Sequence, residues 1–257
     1  MKILFIKSIA LHVQKKVDML KNAQSFVSCC KLQQSMQSSF IQCNIESNVL
    51  SMNWLSQDKA MYASFQTNIQ NAEDETLYLQ HDLFQSVLSM YTKDATLAFS
   101  RNDERIVFSF CESNGVQTIC SMTLTDDDGS NNDALSRVEI LDMIQEKNQK
   151  HKLDFSFFKT LSRFVSRSDR VEIGVSGDGE IVRISIPLDQ STNPGGVGST
   201  KNVKDINPEK TIVFKYKLLQ WAHHLLDGPT TYVALEDRGM LFMTENVAIL
   251  VMGIEPE

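Results

Sequence analysis

The sequence predicts an α+β protein with two similar domains, each with two helices packed on one face of antiparallel sheets. Short runs rich in β-branched and aromatic residues recur along the whole chain, with turn residues between them. A few longer segments instead have apolar residues at helical spacing. The order of these segments in the first half returns in the second half, which indicates a duplicated unit.

The composition is that of a folded chain without a membrane-spanning segment. It has 257 residues, of which 42% are hydrophobic and five are proline, so two moderate domains can each bury a core. There is no apolar run of about eighteen residues. The MKILFIK start is also too short for a secretory signal, so we expect no membrane association. The net charge of −7 permits a nucleic-acid binder only if its positive charge lies on one surface.

In the first half, we predict a strand over 1–7 and a helix over 10–24, where Val13, Val17 and Leu20 share one face. A second helix is expected over 82–91. The expected strands are 26–32, 40–46, 49–55, 61–69, 76–80, 95–100, 105–111 and 116–124, with a hairpin turn at 102–104.

Residues 126–150 interrupt this pattern, since DDDGSNND is acidic and rich in turn residues. The part that follows DDDGSNND could be a strand or a short helix. We therefore predict an N-terminal domain over 1–125, a connecting segment over 126–150 and a C-terminal domain over 151–257.

The second half repeats the elements of the first. It begins with a predicted strand and a helix over 155–168. It continues with a hairpin that turns at Ser176-Gly177-Asp178-Gly179, residues that tolerate positive φ. Residues 188–210 are polar and are predicted to form a mobile loop. The remaining predicted elements are a strand at 211–214, a helix over 217–226 and a closing hairpin from 231 to 254.

The predicted helix over 155–168 has two chemically different sides. Phe157, Phe158, Leu161, Phe164 and Val165 share one side, and the opposite side carries Lys159, Arg163, Arg167 and Arg170. In an acidic chain, a purely basic face favours an anionic partner such as DNA. The alternative interpretation is an ordinary solvated surface.

No catalytic or metal-binding pattern stands out. His223 and His224 are adjacent and would diverge on a helix, so they cannot easily chelate one metal. Residues 195–201 lack the lysine placement of a phosphate loop, and 126–129 lack the ligand spacing of a calcium loop. The five cysteines form no CxxC pair and are predicted to be reduced core residues of a cytosolic or nuclear protein; they are residues 29, 30, 43, 111 and 120. We expect no cofactor, no metal and no enzymatic activity. A small-molecule enzyme of α+β fold is kept as an alternative hypothesis.

Several segments resemble the DNA sliding clamp family, which comprises proliferating-cell nuclear antigen, its checkpoint-clamp relatives and viral clamps. These segments are VLSMNWLSQDKAMYASFQ, HDLFQSVLSMYTKDATLAFSRNDERIVFSF, DRVEIGVSGDGEIVRISIP and the stretch from TIVFKYKLLQWAHHLLDG to ALEDRGMLFMTENVAILVMGIEPE. They follow the family's order over nearly all of the chain, and Asp58 is the aspartate of the family's turn. The chain departs from the family at Gln57, where the replicative clamp usually has methionine, and in its MGIEPE tail.

The resemblance implies the DNA clamp fold and a ring that encircles duplex DNA without sequence specificity and tethers polymerases or repair factors. The alternative within the family is a subunit of a heterotrimeric DNA-damage checkpoint clamp, which acts as a signalling scaffold. The implied partners are double-stranded DNA, a clamp loader, clients of polymerase, nuclease or ligase type, and other clamp subunits in a homotrimer or heterotrimer. The implied location is the nucleus, or a viral replication compartment in the host cell.

The resemblance also assigns three sets of residues. The DNA-facing set is Lys15, Lys16, Lys21, Lys93, Lys159, Arg163, Arg167, Arg170, Lys217 and His224. The partner-groove set is Gln57, Leu135, Val138, Ile140, Met143, Ile144, Val251, Met252 and Ile254. The subunit-interface set is Val116, Thr118, Cys120, Met122, Val182, Ile184 and Ile186, on strands expected to be sheet edges.

Overall fold

The fold is known from a computed structural model of the chain. The structure describes residues 18–20, 26–28, 30, 40–69, 74–92, 95–102, 104–125, 134–154, 156–164, 169–186, 199–226, 228–235 and 239–254. Predictions that fall elsewhere, such as the strand at 1–7, lie outside the described residues.

Strands are the commonest element of the described chain. Those of the first half are β1 (Asp18–Leu20), β2 (Phe40–Glu46), β3 (Val49–Leu55), β4 (Met61–Asn68), β5 (Glu75–Gln80), β6 (Thr96–Asn102), β7 (Arg105–Cys111) and β8 (Gln117–Thr123). Those of the second half are β9 (His151–Lys152), β10 (Arg170–Val175), β11 (Ile181–Ile186), β12 (Ser199–Asn202), β13 (Lys210–Lys215), β14 (Thr231–Leu235), β15 (Gly239–Met243) and β16 (Val247–Met252). Buried and part-exposed side chains alternate along β3, as expected of a strand with one face on a core.

The strands form three antiparallel sheets. Two have four strands each, in the orders β1-β6-β7-β8 and β12-β11-β10-β13, and the third has eight, in the order β5-β2-β3-β4-β16-β15-β14-β9. Strands β4 and β16 join the two halves, with Ala63 opposite Ile249. The halves therefore share one continuous sheet.

The helices lie in corresponding places of the two halves. In chain order they are the helical residues 26–28 and 30, the helix His81–Leu88, the helix Ser156–Phe164 and the helix Tyr216–Leu225. Most of their described apolar side chains are buried in one main core, where Phe84 and Leu219 are both 0% exposed. The α+β fold with helices on one face of antiparallel sheets is thus confirmed.

The connecting segment contains a short helix, Arg137–Asp142, which decides between the two structures that the sequence left open. The Ser136 Oγ accepts a hydrogen bond of 3.3 Å from the Glu139 backbone N–H, and the Glu139 Oε2 accepts one of 2.7 Å from the Ser136 N–H. This capping box satisfies two donors that the helix start would leave unpaired. Its Ser-x-x-Glu spacing is visible in the sequence and indicates a helix start.

The part of the eight-stranded sheet formed by β4, β16, β15 and β14 has apolar residues on both faces. Along β16, Val247, Ile249 and Val251 lie in the main core, whereas Ala248 and Leu250 belong to a second cluster on the opposite face. Successive strand side chains point to opposite faces, which produces this division. We call the second cluster the outer cluster; it comprises Tyr62, Leu135, Ile140, Leu141, Ile144, Val233, Leu235, Leu241, Met243, Ala248, Leu250 and Met252.

The start of the chain differs from its prediction. Residues 18–20, which were expected in a helix over 10–24, form β1 instead and pair with β6, with Leu20 opposite Leu97. The apolar spacing of this segment fits a helix, but the three residues complete the edge of a sheet. Tertiary pairing overrides the local pattern here.

The predicted strand at 26–32 is also wrong, because its described residues are helical. Phe26, Val27 and Cys30 are buried, and their spacing of one and then three residues places them on one helical face. Phe26 packs against Phe84, with ring centroids 6.0 Å apart. The aromatic and β-branched composition suggested a strand, but the spacing was the better guide.

The predicted loop at 188–210 contains a strand. β12 pairs antiparallel with β11, with Lys201 opposite Ile184. Farther along, Pro208 packs so closely on Gly174 that a Cβ there would lie 2.8 Å from the proline Cβ. The polar composition of this segment hid both its pairing and its packing.

The predicted hairpins are confirmed. β10 and β11 flank the turn at Ser176 to Gly179, and Gly179 has φ of +89°, which glycine adopts without strain. β6 and β7 pair up to Asn102 opposite Arg105. These turns are local, so their residue types identify them.

Candidate nucleic-acid interface and partner surfaces

The helices 156–164 and 216–225 contain no Asp or Glu. Lys159, Lys217, His223 and His224 are exposed on them, and we call these four residues the basic helical face. The chain carries 32 acidic residues, so helices without acids concentrate positive potential on one surface. Such a surface attracts a polyanion.

Aromatic contacts hold two of these groups. The Lys217 Nζ lies 4.9 Å from the centroid of the Trp221 ring, a cation–π distance. The His223 ring meets the Phe158 ring edge to face, with centroids 4.5 Å apart, and this contact joins the two helices. The His224 ring centroid lies 5.7 Å from that of His223. Burial and the neighbouring His224 lower the pKa of His223, which favours the neutral imidazole.

The helix 81–88 presents a different outer surface. Leu83 is 48% exposed and Met90, in the turn that follows, is 51% exposed. Asp82 and Ser86 are exposed as well. Residues 81–92 include no Lys or Arg, so this described stretch is not basic.

The predicted DNA-facing residues divide accordingly. Lys159, Lys217 and His224 lie on the two second-half helices, and Arg163 lies on helix 156–164 with its side chain outside the described part. The helical placement of Arg170 is wrong, because it begins β10 and pairs with Lys215 of β13. The residues that lie outside the described ranges are Lys15, Lys16, Lys21, Lys93 and Arg167.

The outer cluster brings together four of the predicted partner-groove residues, which are Leu135, Ile140, Ile144 and Met252. Ile140 is 0% exposed and anchors helix 137–142 on the sheet. Val138 and Met143 are 62% and 37% exposed beside it. This surface is a candidate docking site for an apolar segment of another protein.

Two predicted groove residues lie elsewhere. The assignment of Val251 to the groove is wrong, because its side chain lies in the main core on the opposite face of the sheet. This follows from its position in β16, where successive side chains alternate between the faces. Ile254 lies outside the outer cluster, and its backbone N–H donates to the Val213 carbonyl at 2.8 Å. The sequence argument missed Tyr62 and Leu141, which do join the cluster. The alternation of β4 could have identified Tyr62.

Gln57 is exposed in the β3–β4 turn, and its neighbour Asp58 ties this turn to the second half. The Lys215 Nζ lies 2.6 Å from the Asp58 Oδ2, and the Ser56 hydroxyl donates to the Asp58 Oδ1 at 2.7 Å. Burial alone would raise the pKa of Asp58, but the hydrogen bonds from Lys215 and Ser56 outweigh it and lower the pKa. The turn aspartate is therefore an ionised link between the halves.

β8 is an edge of its four-stranded sheet. Val116, just before the strand, is 53% exposed, and Ile119 within it is 63% exposed. Thr118 and Cys120 are half-buried, whereas Met122 is 6% exposed and belongs to the main core. The backbone and the exposed apolar residues of this edge are open to a partner strand.

The prediction that β11 is an edge is wrong. β11 lies between β10 and β12, and its predicted interface residues Val182, Ile184 and Ile186 are buried. The outer position belongs to β12, the strand hidden in the predicted loop. After β12, Val203 and Ile206 are 47% and 52% exposed.

The described cysteines are free thiols. Burial raises the pKa of Cys43 to about 12, so this thiol stays protonated. Cys111 is exposed, which contradicts its predicted place in the core, and Cys29 lies outside the described residues. The described residues include no group of three or more potential metal ligands and no helix long and apolar enough to cross a membrane.

This architecture is the DNA clamp fold. The chain matches a structure of the PCNA2–PCNA3 complex from Sulfolobus tokodaii with a TM-score of 0.70 and 10% identity, over 93% of this chain and 99% of that one. It matches PCNA from Thermococcus kodakaraensis with a TM-score of 0.67 and 11% identity, over 93% of this chain and 100% of that one. No family model and no curated protein sequence matches the chain. The likeness therefore establishes the fold.

Proposed function

We propose that this chain is a subunit of a ring-forming DNA sliding clamp. The ring encircles duplex DNA without sequence specificity, is opened by a clamp loader, and tethers polymerases, nucleases, ligases or other repair factors in the nucleus or in a viral replication compartment. Its subunit has an N-terminal clamp domain over 1–125 and a C-terminal one over 151–257, joined by 126–150. A scaffold of this kind needs no catalytic group of its own.

The observation that carries the proposal is a pair of open sheet edges, one in each half of a clamp-type fold. β8 and β12 each end a four-stranded sheet, and exposed apolar residues lie at both edges. Unpaired strand edges are templates for another strand. Because the two edges are different surfaces, pairing β8 of one subunit with β12 of the next is head-to-tail, and such contacts close into a ring when the rotation permits.

The basic helical face supports DNA as the encircled partner. Lys159 and Lys217 lie on helices without acids, while the whole chain has a net charge of −7. Contacts of this kind to phosphate carry no sequence information and weaken with salt, as sliding requires.

The outer cluster supports the tethering role. Val138 is exposed on helix 137–142 and Met143 directly after it, and this helix is anchored on the sheet face opposite the main core. An extended or helical client segment with apolar side chains can dock on such a surface.

The test is the native molar mass, measured by light scattering over a concentration series. We expect a homotrimer, and we expect Ile119→Glu on β8 to shift it to monomer. The matched control is Val138→Glu, since Val138 is 62% exposed and Ile119 is 63% exposed, but Val138 lies away from both edges. A trimer that survives Ile119→Glu, or that is lost equally with Val138→Glu, would contradict pairing through β8.

A second candidate is a subunit of a heterotrimeric DNA-damage checkpoint clamp that acts as a signalling scaffold. Two observations favour it: β8 has 7 residues whereas β12 has 4, and one structural match is a complex of two different PCNA chains. Two sheet edges of unequal length are better suited to two different partner chains than to copies of the same chain. A chain that stays monomeric at every concentration, but forms a ring with two other clamp chains, supports this candidate over the homotrimer.

A further inference from the structure

We propose that His223 and His224 bind DNA phosphates as imidazolium groups, so that DNA binding by this chain takes up protons. The inference rests on the proposed function, since it concerns the same helical face. It adds a residue, His223, and a pH dependence to the expected phosphate contacts.

The position of the two histidines supports phosphate contact. Both are exposed in the last turn of helix 216–225, where the helix dipole favours a cation. Lys217 precedes His224 by seven residues, or about two helical turns, so the two side chains lie on the same side of the helix. A duplex held by Lys217 therefore passes over His224 as well.

Phe158 fixes His223 in place. Its ring packs edge to face on the imidazole, with centroids 4.5 Å apart, and it also packs on Phe242 at 6.1 Å. The imidazole is thus oriented by the core instead of moving freely. An oriented side chain loses less conformational entropy when it binds.

The elements around His223 offer it no described acidic partner. Helix 156–164 contributes Lys159 and Arg163 as its charged residues, and helix 216–225 contributes Tyr216, Lys217 and His224. Beneath them, β15 and β16 contain no titratable side chain, and β13 contributes Lys210 and the Lys215 that pairs with Asp58. In the part of the chain that the structure describes, the surroundings of His223 are therefore apolar or positive.

These surroundings determine the direction of the pH effect. Burial and His224 lower the pKa of His223 in the free protein, so its imidazole is neutral near pH 7. A DNA phosphate placed beside it favours the charged form and raises the pKa in the complex. Affinity therefore increases as the pH falls and is lost as the pH rises through the complexed pKa, in a window around the ordinary histidine value of about 6.5.

The experiment measures binding of a short fluorescent duplex of arbitrary sequence at several salt concentrations, near pH 5.5 and near pH 8. We expect the unmodified protein to bind about tenfold more tightly at the lower pH. The slope of log K against log salt should steepen by about one to two, since each added phosphate contact contributes about 0.9. In the double variant His223→Gln/His224→Gln, both changes should largely disappear.

Two other variants separate this effect from general ones. His151→Gln removes a histidine of β9 that lies 3.0 Å from the Asp178 carbonyl oxygen, off the helical face, and should keep the full pH dependence. Lys159→Gln should weaken binding similarly at both pH values and leave their ratio unchanged. Thermal unfolding at each pH verifies that all variants are folded.

The outcomes distinguish the two levels of the argument. If the unmodified protein binds no duplex at either pH, the proposed function fails and the inference fails with it. If it binds, but equally at both pH values or with the same pH dependence as the double variant, proton uptake by these histidines is wrong while the clamp proposal stands.

Discussion

The helices of the two halves occupy the same place in the fold but present different chemistry. Helix 81–88 and helix 216–225 each bury leucine and other apolar side chains in the main core, as Leu88 and Leu219 show. On their exposed sides, residues 81–92 have no Lys or Arg, whereas helix 216–225 has no Asp or Glu. Packing constrains the buried side of a helix, and the exposed side is left to vary with function.

Under the proposed function, this difference predicts that the two halves contribute unequally to DNA binding. In the described part of the chain, the cationic groups of the helical surface belong to the second half, and the first half offers Leu83 and Met90 instead. We therefore expect the second half to contribute most of the salt-sensitive affinity. Four experiments examine this comparison.

The largest effect should come from the buried sides of the helices, which are apolar in both halves. Leu219→Ala removes a fully buried leucine and should lower the free energy of unfolding by about 2–5 kcal/mol through the lost burial and the cavity. Leu83→Ala is the matched control, because Leu83 is 48% exposed and its loss should cost less than about 0.5 kcal/mol. Chemical denaturation measures both. Equal costs would mean that Leu83 is covered in solution.

The second-largest effect concerns DNA binding by the exposed sides of the helices, which differ between the two halves. Lys159→Glu with Lys217→Glu reverses two charges of the basic helical face and should weaken duplex binding about 100-fold at low salt, with the salt slope reduced by about two. Fluorescence anisotropy with a labelled duplex gives both quantities. Lys152→Glu reverses one charge at an exposed residue of β9, off this face, and is the matched control for Lys159→Glu alone. A similar loss with Lys152→Glu would show that only net charge matters.

A smaller gain should follow from making the first half resemble the second. Leu83→Lys with Ser86→Lys places two cations on the exposed side of helix 81–88 and should tighten duplex binding about three- to tenfold at low salt. The same anisotropy measurement applies, with Leu83→Gln and Ser86→Gln as the neutral control pair. No gain would mean that this helix does not face the duplex.

The smallest effect concerns the ion pair that links the halves. Asp58→Asn should lower the free energy of unfolding near pH 7 by about 0.5 kcal/mol, because solvent screens this partly exposed pair. The hydrogen bonds that lower the pKa of Asp58 stabilise the fold above the unfolded-state pKa of about 3.9, and this contribution is lost as the pH falls through the lower folded value. Urea unfolding at neutral and acidic pH should show the difference between the variant and the unmodified protein vanish in acid. A difference that persists in acid would assign the effect to packing.

Local features were predictable from the sequence. The turn at Ser176 to Gly179, the hairpin of β6 and β7, and the helices near 81–88, 156–164 and 216–225 follow from turn chemistry and apolar spacing. The exposed positions of Lys159 and Lys217 follow from the same helical periodicity. The helical residues 26–28 and 30 and the capping box at Ser136 carried similar signals that composition obscured.

Non-local features were not predictable in this way. Residues 18–20 became a strand because β6 offered an edge, and β11 became an inner strand because a polar segment supplied β12. Arg170 lies in β10 and not in the predicted helix, because it pairs with Lys215 of β13. In each case, a partner distant in sequence determined the outcome.

The sequence by itself determined the α+β class, the duplicated order of elements and the segregation of acids away from two helices, since periodicity and charge are properties of neighbouring residues. Only the tertiary structure decided that β4 pairs with β16, with Ala63 opposite Ile249, and that β8 and β12 are sheet edges. It also assigned Val251 to the main core and Leu250 to the outer cluster. The physical reason is that segments distant in sequence compete to form hydrogen bonds with each strand and to bury its side chains. The local residue pattern does not indicate which of these segments becomes the neighbour.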